Sequence, residues 1–207
     1  MNKDKLTAAS YFDCLFSCLQ SLKITDFCQE SITIDVALRR IHRFFQKIKE
    51  RKRKIALVGN GGSSAIVSHM QNDLCKCLKL RSMVFTETAL LTAFTNDDGY
   101  ETAFEQQTEL WIDEQDLLIA VSSSGASENI LRAVAAARKA HAHIVTFSGF
   151  QEENPLRNLG DLNFYIDSSS YGMVELSHAI LCHMITDIAA GDQVLIQELL
   201  QRQKVEK

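Results

Sequence analysis

The sequence predicts an α/β protein built as a three-layer, doubly wound parallel sheet, with helices on both faces and an N-terminal helical extension. Three observations predict this fold. Short strands that are apolar on both faces alternate with helical segments, a pattern typical of a parallel sheet covered on both sides. A glycine-rich or serine-rich turn follows two of these strands, where each strand should lead into a helix. The chain has 207 residues, 46% of them hydrophobic, which is enough for one large core.

Helices are predicted first in the chain. Residues 7–22 and 33–52 carry apolar side chains at three- and four-residue spacing, which indicates two amphipathic helices. We expect residues 1–54 to form an N-terminal helical unit that serves as an oligomer surface. Residues 55–190 should form the sheet domain, and residues 191–207 a C-terminal helical or mobile tail.

Strands and helices then alternate through the predicted sheet domain. The predicted strands cover residues 55–58, 82–86, 117–121, 144–148 and 164–166. The predicted helices cover residues 64–76, 90–95, 101–110, 128–140 and 171–190. Residues 96–100 combine Asn, Asp and Gly, which predicts a turn between two of the helices.

Charge and composition exclude several classes of protein. A net charge of −4 gives no general electrostatic footprint for nucleic acid, and the basic run at residues 47–54 favours a solvated helix end. No uninterrupted apolar stretch reaches the length of a bilayer, so we expect a soluble, cytoplasmic protein that binds neither membrane nor nucleic acid. The six cysteines should remain reduced thiols or core residues.

The two turns predict a phosphate site. Residues 59–64 read Gly-Asn-Gly-Gly-Ser-Ser and residues 122–127 read Ser-Ser-Ser-Gly-Ala-Ser. Backbone N–H groups at a helix N-terminus attract anions, glycine permits close approach, and serine adds hydroxyl donors. Either turn alone could be a simple helix cap, but two at matching strand ends favour a small phosphorylated ligand. The first turn lacks the glycine spacing of a dinucleotide site and the lysine of a P-loop.

Histidine and carboxylate side chains recur at helical spacing. His69 and Asp73 are four residues apart on one predicted helix, and Glu175 and His183 are eight apart on another, so each pair shares a helix face. Together they could supply the ligands of a divalent metal such as zinc, or an acid and base for moving a proton. His178 points elsewhere on its helix and is interpreted as a structural residue.

Four segments in order resemble sugar isomerase (SIS) domains, in particular the phosphoheptose isomerase branch. They are GNGGSSAIVSHMQNDL, LTAFTNDDGYETAF, LLIAVSSSGASENILRAVAAAR and VELSHAILCHMITDI. The resemblance implies an SIS-type sheet and a cytoplasmic homotetramer. It also implies conversion of sedoheptulose 7-phosphate to D-glycero-D-manno-heptose 7-phosphate, the first step toward activated heptose for lipopolysaccharide or another surface glycan.

The same resemblance implies roles for individual residues. Phosphate would be held by the serines of the two turns: Ser63, Ser122, Ser123, Ser124 and Ser127. Asn60 and Asp97 would contact the sugar. Asp73 and His183 would be the catalytic pair, and the four metal-site positions are His69, Asp73, Glu175 and His183, with Glu175 also beside the substrate. The family carries glutamate where this chain has Asp73, and usually glutamine where it has Glu175.

Two other functions remain open at this point. The SIS fold also has a catalytically silent branch, represented by the DnaA initiator-associating protein, a tetrameric scaffold. A sugar-phosphate-binding regulator is the second alternative. A carboxylate at position 73 together with His183 favours the enzyme, because a scaffold needs neither side chain.

Overall fold

The computed structural model describes residues 6–194 and 196–198. The elements in chain order are α1 (Ala8–Gln20), β1 (Lys23–Asp26), α2 (Ile34–Glu50), β2 (Ile55–Gly59), α3 (Gly61–Lys76), β3 (Ser82–Val84), α4 (Thr88–Asp98), α5 (Ala103–Trp111), β4 (Leu117–Ser122), α6 (Glu128–Lys139), β5 (His143–Gly149), a 3-10 helix (Pro155–Asn158), β6 (Leu162–Ile166) and α7 (Tyr171–Ala190).

One six-stranded sheet organises the molecule, with the strand order β1-β6-β5-β4-β2-β3. Strands β2 to β6 run parallel, and β1 pairs antiparallel with β6 at one edge. Strands β2 and β4 are neighbours, and their register places Gly59 opposite Val121. Because parallel strands end at the same edge of a sheet, the glycine-rich and serine-rich turns that follow them lie side by side.

Two apolar cores cover the two faces of the sheet. Successive strand residues alternate between them, so Ile55 and Leu57 pack with helices α2, α3 and α7, whereas Ala56 and Val58 pack with α5 and α6. This period of two is what a strand buried on both faces requires. The three-layer, doubly wound α/β fold predicted from the sequence is therefore confirmed.

Helix α2 is held to the sheet by one apolar face, which carries Ala37, Ile41, Phe45 and Ile48, all buried. Burial of each large apolar side chain contributes up to about 1.5–3 kcal/mol. Thr33 begins the helix by accepting a hydrogen bond from the Val36 backbone N–H at 3.4 Å. Helix α2 thus packs on the sheet, and the assignment of residues 1–54 as an oligomer surface stays a prediction.

Two local predictions were wrong. Strand β1 was not expected, because Lys-Ile-Thr-Asp buries only alternate side chains and lacks an apolar run. It pairs along β6 and covers that edge of the sheet, as a half-solvated edge strand does. The turn predicted at residues 96–100 is also displaced, since α4 continues to Asp98 and ends only at Gly99, whose φ is +89°.

The C-terminal end of the described chain follows Gly191, which has the left-handed conformation that commonly ends a helix. Residues 193–194 and 196–198 are helical again. The rest of the predicted tail, residues 195 and 199–207, lies outside the described residues.

Among the residues described, α7 alone is long and apolar enough to cross a membrane by length and composition. Of its most apolar window, 44% is buried inside the protein, and a single helix of this kind is weak evidence for a membrane span.

Candidate active site

The first turn leads from β2 directly into α3. Asn60 is the last extended residue, with φ −107° and ψ 149°, and Gly61 follows with φ +53°. Gly59 must be glycine, since a side chain there would collide with the backbone of Ser63 one helical turn later. Ser63 is buried in the first turn of α3. The sequence thus aims the N-terminus of α3 at the carboxyl edge of the sheet.

The second turn joins β4 to α6 and is stabilised by hydrogen bonds of its own serines. The Gly125 backbone N–H donates to Ser122 Oγ at 3.2 Å, and the hydroxyls of Ser122 and Ser127 lie 3.3 Å apart. Gly125 has φ +62°, and a Cβ there would strike the side chain of Asn154. The buried Oγ of Ser123 has no hydrogen-bond partner within the described part of the chain. An unpaired buried hydroxyl beside a helix N-terminus can serve an anion.

The two turns enclose one cavity of about 460 Å³, which we call the cradle. Its lining consists of Asn60, Gly61, Gly62, Ser63, Ser122, Ser123, Ser124, Ser127, Tyr171 and Glu175. The N-terminal turns of α3, α6 and α7 all face it or lie next to it, and each carries partial positive charge. Since no lysine or arginine lines the cradle among the described residues, an anion there would be held by N–H and O–H dipoles.

A second set of side chains meets farther along α3 and α7. His69 Nε2 and His183 Nδ1 each lie 3.6 Å from Asp73 Oδ2, and the two imidazole centroids are 4.7 Å apart. We call these three residues the His–Asp cluster. The Asp73 side chain is 15% exposed, whereas the two histidines are more than half exposed. They line a cavity of about 210 Å³ whose walls include Ile66, Met70, Ala179 and Cys182.

The His–Asp cluster could hold a metal ion, because one ligand atom from each residue lies within 4.8 Å of the others. Ligands on a tetrahedral zinc at about 2.0–2.1 Å are roughly 3.3 Å from one another, close to the two 3.6 Å separations seen here. Two imidazoles and one carboxylate are also a donor set that zinc accepts. The residues therefore fit a divalent cation.

Glu175 lies in the cradle and not in the His–Asp cluster. Its carboxylate packs against Gly62, where a side chain would collide with it. The metal set expected from the sequence had four members, and the structure brings three of them together.

Asp97 is also not among the residues that line the cradle. It is exposed on the last turn of α4, and its Oδ1 accepts a hydrogen bond from Asn96 at 2.8 Å. The predicted contact of Asp97 with a sugar therefore stays a prediction.

The structure adds three residues that the sequence analysis did not single out. Tyr171 lines the cradle, while Tyr100 and Asn129 hydrogen-bond the side chain of Asn60. Tyr100 and Asn129 both fall within the quoted family motifs. Their hydrogen bonds to Asn60 join segments that are far apart in the chain, so local spacing could not predict these contacts.

His178 is fully buried where α7 packs against strand β5. Its Nε2 lies 3.1 Å from the Ser148 carbonyl oxygen, and its ring meets Phe147 edge-on. Burial lowers the pKa of His178 to about 4, so the ring is neutral at physiological pH. This is a structural histidine, outside both cavities.

Comparison with known proteins gives a family. The family model described as SIS domain matches residues 28–149. The chain belongs to the SIS domain family. The matched region carries the cradle turns, His69 and Asp73, whereas Glu175 and His183 on α7 lie beyond it.

Members of the SIS family named phosphoheptose isomerase are similar to this chain. The protein from Campylobacter concisus is 34% identical over 140 residues, covering 64% of this chain and 73% of that protein. The protein from Geobacter sulfurreducens is 29% identical over 142 residues, covering 66% and 75%. These relatives are isomerases by name.

A solved phosphoheptose isomerase has the same fold. The structure from Neisseria gonorrhoeae matches with a TM-score of 0.77 at 22% identity, covering 88% of this chain and 96% of that one. This likeness confirms the SIS fold inferred above.

Proposed function

We propose that this SIS protein is a sugar-phosphate isomerase that converts sedoheptulose 7-phosphate to D-glycero-D-manno-heptose 7-phosphate. The observation that carries the proposal is the meeting of His69, Asp73 and His183 on the helix pair whose N-terminal ends border the cradle. The names of the curated relatives support the heptose substrate. The product would enter synthesis of activated heptose for lipopolysaccharide or another surface glycan.

Phosphate binding in the cradle would position the substrate. Backbone N–H groups and the five serine hydroxyls hold the phosphate, and the binding energy of this remote group orients the reacting carbons. Along α3, His69 lies six residues after Ser63, which corresponds to roughly 9 Å. The described linings of the two cavities share no residue, so the sugar must reach from one cavity toward the other, within one chain or across an oligomer contact.

Asp73 and His183 would carry the proton transfer. One group removes a proton from the hydroxyl-bearing carbon of the opened sugar and returns it to the neighbouring carbonyl carbon, while the carbonyl oxygen gains a proton and the hydroxyl oxygen gives one up, through an enediol. Asp73 is the better shielded group, and its Oδ2 lies 3.6 Å from a ring nitrogen of each imidazole, so a shift of less than about 1 Å would bring these atoms to hydrogen-bond distance. His69, whose Nε2 lies 3.6 Å from the same Asp73 Oδ2, would help to orient the carboxylate.

A divalent cation, zinc by its donor set, would be held by His69, Asp73 and His183. When bound, it would polarise the substrate carbonyl and stabilise the negative charge that develops on its oxygen. Glu175 could join this set only from another position of its side chain or from another chain.

We further propose a cytoplasmic homotetramer. Large apolar side chains remain exposed on the outer faces of α1 and α7, including Phe12, Phe16, Leu176 and Ile180. Exposed apolar surface of this kind marks protein contacts. The molar mass of the full chain in solution, measured by light scattering, tests this assembly.

The deciding experiment is an isomerase assay of the purified full chain with sedoheptulose 7-phosphate, together with metal analysis. We expect turnover that requires a divalent cation and that falls in Asp73→Asn and His183→Ala. Absence of turnover at full metal loading would contradict the enzyme and leave a scaffold or a sugar-phosphate-binding regulator.

A further inference from the structure

Two residues outside the predicted site hold the side-chain amide of Asn60 at the rim of the cradle. Asn60 Nδ2 donates to Asn129 Oδ1 at 2.9 Å, and Asn129 Nδ2 donates back to Asn60 Oδ1 at 2.9 Å. The Tyr100 hydroxyl donates to the same Asn60 Oδ1 at 2.7 Å. We call these three residues the amide clasp.

The clasp joins the two turns that form the cradle. Asn60 occupies the N-cap position of α3, but in the described structure its side chain makes no capping hydrogen bond there. It reaches instead to Asn129, which is 3% exposed in the first turn of α6. A reciprocal pair of amides across neighbouring strands β2 and β4 fixes the separation of the two helix N-termini between which an anion must fit.

Tyr100 ties a third segment to the clasp. It follows Gly99 in the connection between α4 and α5, and its ring packs near Phe104 at 6.2 Å. Helix α4, just before it, buries none of its own residues. The hydrogen bond to Asn60 thus anchors the chain beside α4, and with it the segment that carries Asp97, at the cradle rim.

The hydrogen bonds also decide what Asn60 can offer a ligand. Its Oδ1 already accepts from two donors, which uses both lone pairs. Its Nδ2 has two hydrogens, of which one is donated to Asn129. Within the described part of the chain, the clasp leaves Asn60 one N–H without a partner and no unused lone pair on Oδ1, so toward a ligand Asn60 can act only as a donor.

We propose that Tyr100 and Asn129 are positioning residues that fix Asn60 as a hydrogen-bond donor toward the ligand in the cradle and hold the two phosphate-binding turns at their spacing. The inference rests on the proposed function, because it requires a phosphate in the cradle. The Tyr100 hydroxyl touches Asn60 and lies outside the lining of the cradle, so it acts through another residue.

Tyr100→Phe is the test, because it removes only the hydroxyl of a residue that is 44% exposed. Two quantities are measured on the full chain: KM and kcat for sedoheptulose 7-phosphate, and the Kd of inorganic phosphate by calorimetry. We expect KM and the phosphate Kd each to rise about three- to tenfold, the worth of one hydrogen bond, while kcat changes less than twofold. Tyr11→Phe on α1, which removes a hydroxyl outside the clasp and both cavities, is the matched control.

Asn129→Ala provides the second arm. If both residues act through Asn60, the rise in phosphate Kd in the double variant should be clearly smaller than the product of the two single effects. A merely structural role would shift the thermal midpoint without moving either constant. Asn129→Ser, which shortens the side chain without adding a charge, replaces Asn129→Ala if the alanine variant fails to fold.

The outcomes separate this inference from the proposed reaction. Unchanged KM and phosphate Kd in Tyr100→Phe, or an equal change in Tyr11→Phe, overturn the clasp while isomerase activity stands. A wild-type chain that binds phosphate and responds to Tyr100→Phe, yet shows no turnover, supports the clasp and removes the isomerase. Wild-type protein that neither turns over nor binds phosphate overturns both.

Discussion

Replacing Asp73 by asparagine separates the chemistry of the His–Asp cluster from its packing. The two side chains have nearly the same shape, so the 210 Å³ cavity keeps its walls while the carboxylate charge is lost. Both histidine partners are more than half exposed, and solvent screens such pairs, so the free energy of unfolding should change by less than about 1 kcal/mol. Loss of a positioned base should instead lower kcat about 10²- to 10⁴-fold.

The assay follows conversion of sedoheptulose 7-phosphate under saturating substrate, alongside thermal unfolding and zinc content. Because Asp73 is also expected to ligate the metal, kcat is compared at equal metal loading. Asp13→Asn, an exposed aspartate on α1, serves as the control for removing a negative charge. Asp73→Glu restores a carboxylate one methylene longer and should recover part of the lost kcat. If Asp73→Asn keeps more than half of the wild-type kcat, the assignment of Asp73 as a proton-transfer group is wrong.

Three further predictions follow from the geometry. Glu175→Gln removes the one carboxylate among the described cradle residues, so calorimetry should show inorganic phosphate binding about fivefold tighter. The zinc stoichiometry should be unchanged, and a loss of zinc would instead place Glu175 in the metal set. Burial lowers the pKa of His178 to about 4 from 6.5, so its contribution to stability is complete above about pH 6.5 and falls as the pH falls toward 4. Between about pH 7.5 and pH 5, urea unfolding should therefore show wild type losing about 2 kcal/mol more than His178→Gln, and equal slopes would refute the buried neutral ring. Gly125→Ala should lower the free energy of unfolding by about 1–3 kcal/mol, because it adds strain at positive φ and a collision with Asn154. Gly61→Ala, with open space around it, should lower the free energy of unfolding less. Equal thermal midpoints for the two variants would count against this reasoning.

Much of the fold could be predicted from the sequence because its signals are local. Apolar runs such as residues 117–121 predict strands buried on both faces, and the three- and four-residue spacing in α2 predicts its buried face. Strand β1 gave no such signal, because its pairing with β6 supplies the order that its own residues lack. The turn predicted at residues 96–100 was displaced because helix α4 continues through Asn96 and ends at Gly99, the first residue there that readily adopts a positive φ.

The candidate site was predictable to the same extent. His69 and Asp73 sit four residues apart on one helix, so their proximity follows from helical geometry alone. The addition of His183 required α3 and α7 to pack with the right axial offset, which no spacing within either helix reveals. Glu175 shares a face with His183, but eight residues place it roughly 12 Å away along the axis, so it reaches the cradle instead.

The sequence by itself determined where strands are followed by helices, which side chains share a helix face, and that two strands end in glycine- or serine-rich turns. It did so because backbone conformation and helical period depend on neighbours in the chain. The tertiary structure alone decided that Tyr100, Asn60 and Asn129 meet and that Glu175 belongs to the cradle. Such contacts depend on how distant segments pack in three dimensions, which sets both the distance and the direction between side chains.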